Sequence, residues 1–296
     1  MRIKSNCKFH ILFYSFKWKK YEDGKLRFEG EYLNGKEWIG TGYDKDGNIL
    51  YELNNNINGK VKEYNKNGKL EFEGEYLNGK RNGKGKEYNR KLRFEGEYLY
   101  DYKLKGKFYV NSKLEYEGEF LYNKKWNGKG YDENGNILYE LINGNGKVKE
   151  YNVYTGKLQF EGEYLNGKRN GHGKEYEIFN FYEGEDTLEF EGEYLNGNRN
   201  GKGKQYYSDG ALLFEGEYLN DERNGKGKEY YDDGVLLFEG EYLNDKRNGK
   251  GKEYNEEGKL IFEGEYLNGK INGKGKEYDE DGKLIFEGEY LNGKRK

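Results

Sequence analysis

The chain has 296 residues, 33% of them hydrophobic, 17% aromatic and 36% charged, with 46 glycines and no proline. Its 52 basic and 55 acidic residues are interspersed and leave a net charge of −3, so the basic footprint of a nucleic-acid binder is missing. Cys7 is the single cysteine, which excludes an internal disulfide and a thiolate zinc site, and so many regularly placed aromatics argue against disorder.

The first residues, MRIKSNCKFHILFYSFKWKK, carry a short apolar patch with basic flanks. His10 and Ser15 break it, no small-residue cleavage site follows, and it is too short to cross a membrane. Residues 1–15 are therefore read as an N-terminal segment, capping or poorly ordered. FKWKKYEDGKLRFEGEY, from 16 to 32, is read as the first, truncated repeat of a domain that runs to 296.

From Phe28 onward the word FEGEY, or a variant of it, returns at Tyr51, Phe72, Phe94, Tyr116, Tyr139, Phe160, Phe190, Phe214, Phe238, Phe262 and Phe286. The steps are 21 to 24 residues, apart from one of 30 that contains EIFNFYEGED, 177–186, an expected loop insertion or bulge. A longer period lies above this one. Trp38 and Trp126 are 88 residues apart, and so are the two copies of GNILYEL at 47–53 and 135–141, which points to a duplicated block of four units.

Within one unit, LLFEGEYLN places Leu236, Phe238, Gly240 and Tyr242 on one face of a strand, with Leu237, Glu239, Glu241 and Leu243 on the other. GKGKEY gives a return strand in which Gly249, Gly251 and Glu253 oppose Lys250, Lys252 and Tyr254. Asn-Gly or Asn-Asp closes one turn, and Asp-Gly, Glu-Gly or Asn-Gly the other. The expected fold is all-β, an elongated single-layer array of antiparallel hairpins in which each unit touches only its neighbours. Recurrent glycine and the absence of a 3.6-residue apolar period exclude helix. Gly240 between Phe238 and Tyr242 leaves room for a ring to lie across the backbone. A continuous aromatic and glycine ladder is expected, carried by Phe28, Gly30 and Tyr32, Phe72, Gly74 and Tyr76, Phe214, Gly216 and Tyr218, and Phe238, Gly240 and Tyr242.

Candidate chemistry is thin. GKGKEY lacks the spacing and the hydroxyl of a phosphate loop. YDKDGNILYE (43–52) has oxygen ligands at alternate positions, but Gly47 sits too early for a calcium loop, and a turn is expected. His10 and His172 have no companion histidine, and His172 replaces a repeated lysine. Glutamate pairs of the Glu29 and Glu31 type recur from unit to unit, as suits a surface rather than one tuned site. No catalytic residue, metal site or cofactor is expected. Lys80, Lys84 and Lys86 with Arg81 are read as a basic stripe along one edge, attractive to anionic lipid. Trp38 and Trp126 are candidate interaction residues, with Trp18 as a third tryptophan of the same half.

The unit closely resembles the MORN repeat (membrane occupation and recognition nexus), roughly Y-x-G-E-[WFY]-x-x-G-x-x-x-G-x-G. It reads here as Phe72-Glu73-Gly74-Glu75-Tyr76 with Gly79, Gly83 and Gly85, and the likeness extends from about 16 to 296. Tyr51 and Tyr139 begin copies without the strand glycine, and Asp221 and Asp245 replace the turn glycine, so local distortion is expected there. The resemblance implies a non-enzymatic scaffold for protein–protein interaction, self-association into a homodimer included. It also implies a cytoplasmic place peripheral to membrane or cytoskeleton. The alternative is a membrane-surface adaptor contacting anionic lipid through the lysine-rich edge. A third reading, an immunity-type partner, rests on likeness to the bacterial variant of the repeat.

Overall fold

The computed structural model describes residues 17–33, 36–53, 58–65, 69–177 and 187–296. Segment 1–15 and nearly all of the insertion near 177–186 lie outside them. All regular structure among the described residues is β-strand, arranged in two antiparallel sheets of hairpins whose strand order follows chain order and which do not close into a barrel. The chain divides into two compact units, Met1–Ser112 with Leu121–Asn123, and Lys113–Phe120 with Lys124–Lys296.

One hairpin of the second unit shows how sequence dictates register. Strand Leu236–Leu243 returns as Lys246–Tyr254 through Asn244 and Asp245, whose φ values of 49° and 63° are the double left-handed pair that a two-residue hairpin turn needs. The next strand, Leu260–Leu267, follows a turn in which Gly258 has φ 75° and donates to the Asn255 carbonyl at 2.9 Å. Phe238 pairs with Glu253, Glu239 with Lys252 and Gly240 with Gly251, and Gly251 pairs in turn with Gly264. The glycines therefore form a line across successive strands. A bulge follows, after which Tyr242 pairs with Arg247; Gly249 sits in it with φ 98°.

Where the glycine line fails, pairing fails with it. The short strands Ile49–Leu53 and Ile137–Leu141 carry Leu53 and Leu141 where other units have glycine, and the strands after them carry Val61 and Val148 where other return strands have glycine. Elsewhere two glycine backbones meet there. Among the described residues of the first unit only Tyr51 and Val61 pair at this junction, and in the second a single bridge joins Ile142 and Asn145. Leu141 and Val148 are both buried instead.

Candidate functional site

The two sheet faces differ in chemistry. On the first, the Phe238 ring lies over its own strand and the next. A Cβ on Gly240 would come within 2.7 Å of Phe238 Cζ, and one on Gly251 within 2.6 Å of Phe238 Cε2. The ring meets Tyr242 and Tyr266 edge-on, with centroids 5.5 and 5.2 Å away, and the guanidinium of Arg247 covers it at 4.3 Å. The arrangement recurs. Phe214 touches Tyr218 and Tyr242, Phe72 touches Tyr76 and Tyr98, and Phe28 touches Tyr32 and Tyr51. Gly30, Gly74 and Gly216 each lie under the phenylalanine of their own strand.

Phe28, Phe72, Phe214 and Phe238 are completely buried, although only one layer of sheet is present beneath them. The arginines make this possible. Arg247 donates to Glu253 at 2.9 Å and to Glu229 of the preceding hairpin at 2.8 Å, and Arg81 is held by Glu63 and Glu87, both at 2.8 Å. Burial opposes the charge on Arg81, but its bond to Glu63 outweighs that and holds the guanidinium more firmly cationic than usual. Arg81 thus corrects the basic stripe read from sequence. It turns away from Lys80, Lys84 and Lys86 onto the ring face, at 4.2 Å from the Phe72 centroid, because two carboxylates and a ring await it there. The rings of Phe28, Phe72, Phe214 and Phe238 are covered, so these units offer no open aromatic surface on this face.

Of the tryptophans, Trp18 is exposed. Trp126 is half-buried against Gly144, whose N–H donates to its carbonyl at 2.8 Å. The Trp38 side chain lies outside the described residues. The acidic turn at 43–52 consumes its own ligands. Asp44 Oδ1 accepts the N–H groups of Asp46 and Asn48 at 2.8 Å, and Oδ2 accepts Asn48 Nδ2 at 2.9 Å. Those bonds, the Asn48 side chain first, hold the Asp44 carboxyl below its ordinary range. Asp132 repeats the turn 88 residues on.

The second face carries glutamate, lysine and tyrosine. Tyr254 donates to Glu239 at 2.9 Å, as Tyr206, Tyr230 and Tyr278 do to Glu191, Glu215 and Glu263. In the second unit this face forms a groove of about 1250 Å³ that runs from His172 to Glu289 over the glycine line. Glu193, Glu241 and Glu265 fold back to accept the backbone N–H of Lys202, Lys250 and Lys274 at 3.1, 3.4 and 3.0 Å. The ammonium groups of Lys202, Lys226, Lys250 and Lys274 stay exposed, with no carboxylate at ion-pair distance among the described residues. From sequence this alternation reads as a solvated surface. Its groove spans many paired strands, and no short word of sequence announces that.

Alkaline pH gives a direct test of the tyrosine–glutamate pairs. Burial first, and then the bond to a glutamate, push Tyr206, Tyr230 and Tyr254 up to about 12. Folding favours their neutral form, so that stabilisation is whole below about pH 10, where free tyrosine ionises, and is lost as pH climbs through about 12. We expect tyrosinate absorbance and loss of β-sheet circular dichroism to rise together between these limits. Ionisation complete near pH 10 with the sheet intact would contradict the pairing.

Six segments, 72–90, 160–176, 190–212, 214–235, 238–258 and 262–283, match the MORN repeat, and 57–78 matches a variant of that repeat. No curated protein matches the chain. Among solved structures it is similar to chains described as TcdB2-TccC3-Cdc42 and TcdB2-TccC3, each at 11% identity and a TM-score of 0.20 over 95% of this chain and 19% of that one. The chain thus spans less than a fifth of those chains. No helix among the described residues is long and apolar enough to cross a membrane.

Proposed function

The chain belongs to the MORN repeat family, whose repeats mediate protein or membrane contacts, and on that premise we propose that it is a non-enzymatic scaffold. It binds protein, its own copies included, through the charged groove face. The observation that carries this reading is the recurrence of the tyrosine–glutamate contact from hairpin to hairpin, with Lys202, Lys226, Lys250 and Lys274 left free beside it. A catalytic centre requires one position unlike the rest; a surface that reads a long partner gains from many positions alike. A cytoplasmic place beside membrane or cytoskeleton goes with this role.

The second reading, an adaptor on anionic membrane, draws on the same free lysines. The withdrawal of Arg81 and its counterparts to the ring face, and the glutamates between the lysines, weaken the positive field it needs. Sedimentation with phosphatidylserine vesicles separates the two. The scaffold reading expects no binding at physiological salt and, for Lys226→Glu/Lys250→Glu, a clear loss of protein partners captured from the native cell. Vesicle binding that survives physiological salt and disappears in that variant, with capture unchanged, would establish the adaptor instead.

A further inference from the structure

The spacing of free charge along the groove narrows the chemistry of the partner. Gly203 pairs with Gly216, Gly227 with Gly240, Gly240 with Gly251, Gly251 with Gly264 and Gly275 with Gly288, so the line of glycines crosses the strands in register. The residue before each return-strand glycine falls on a parallel line: Lys202, Lys226, Lys250 and Lys274, with His172 at its start. One such residue occurs on every second strand. Strands lie about 4.8 Å apart, which sets the cationic groups about 9.6 Å apart.

We propose that this groove takes an extended peptide in the polyproline II conformation with an acidic side chain at every third residue, an inference that rests on the groove being the protein-binding face. Polyproline II has three residues per turn and rises about 3.1 Å per residue, so every third side chain points the same way about 9.3 Å further on. A β-strand covers a similar distance in three residues but turns the third side chain to its opposite face. An α-helix presents one face every seven residues, about 10.5 Å, and slips by about 0.9 Å per repeat against about 0.3 Å for polyproline II. Acid rather than base fits because several of the groove glutamates are already engaged. Glu241 and Glu265 hold backbone N–H groups, while Glu239 and Glu263 accept tyrosine hydroxyls. The lysine row is left without a carboxylate at ion-pair distance among the described residues.

The test is fluorescence anisotropy of the full chain with three labelled fifteen-residue peptides of one composition, rich in proline, each with four glutamates set two, three or four residues apart. We expect the third-position peptide to bind at least tenfold more tightly than its isomers, and Lys226→Gln/Lys250→Gln to abolish that advantage while leaving the circular dichroism spectrum unchanged. Equal affinity for all three peptides overturns the period yet leaves the scaffold reading standing. An advantage that survives in the double variant overturns the lysine row. Absence of binding by any peptide overturns the proposal, and partner capture that is also indifferent to charge reversal in the groove overturns the scaffold reading with it.

Discussion

Gly251→Val is expected to cost about 3 kcal/mol, the range of a severe overpacking lesion in a core without slack. The added Cβ would meet Cε2 of the Phe238 ring at 2.6 Å and the Glu239 carbonyl at 3.3 Å, and the ring has no free direction to move. It is held by Tyr242 and Tyr266 at its edges and by Arg247 above. Phe238→Ala alone is expected to cost about 3–5 kcal/mol, since a fully buried ring leaves a cavity. The two changes should be strongly non-additive, because the introduced valine side chain can occupy part of the space that the ring vacates. Repeat arrays unfold by neighbours rather than all at once, so the measurement is residue-resolved hydrogen exchange across 236–267. Additive losses, or exchange that accelerates equally over the whole chain, would show that the ring and the glycine do not form one contact. Gly234→Asn is the control. It keeps φ 86° in a turn with open space around it, and asparagine tolerates that region.

The same neighbourhood shows what could be read in advance. Period, strand phase and turns were legible because each depends on a few consecutive residues. Asn244 and Asp245 reverse the chain wherever they are placed, and Gly240 announces a close approach because a glycine between two aromatics weakens a strand for no local benefit. The position of Arg247 was also implicit in the two-residue period, which puts it in phase with Gly251 and Glu253. It reads with the lysines because a cation beside a turn belongs in water unless carboxylates meet it, and one of the two that do, Glu229, arrives from the preceding hairpin. The groove and the broken pairing at Leu141 and Val148 were not legible for the same reason. Both depend on what faces a residue across strands, which cross-strand register decides.

The arginine position itself supplies the second test, because the hairpin that follows Arg247 lacks it. Ile271 stands where Arg247 stands one hairpin earlier and pairs with Tyr266 as Arg247 pairs with Tyr242. The glutamates beside it have other donors. Glu253 takes Arg247 at 2.9 Å and the Tyr266 hydroxyl at 3.2 Å, and Glu277 takes Arg295 and the Tyr290 hydroxyl. Phe262 below it is 3% exposed where Phe238 is 0%. Arg247→Ile removes a stacked cation and two charge-assisted bonds, and leaves Glu253 with only a hydroxyl among the donors just named. A loss of about 2 kcal/mol is expected. Ile271→Arg should gain about 1 kcal/mol, since both carboxylates and the ring are in place and only the guanidinium is missing. Arg247→Lys should recover less than half of the loss, because an ammonium cannot lie flat on the ring while reaching two carboxylates. Urea midpoints of the four proteins decide the matter. If Ile271→Arg destabilises, the arginine covers the ring only by default, and the tight burial of Phe238 must be credited to the tyrosines alone.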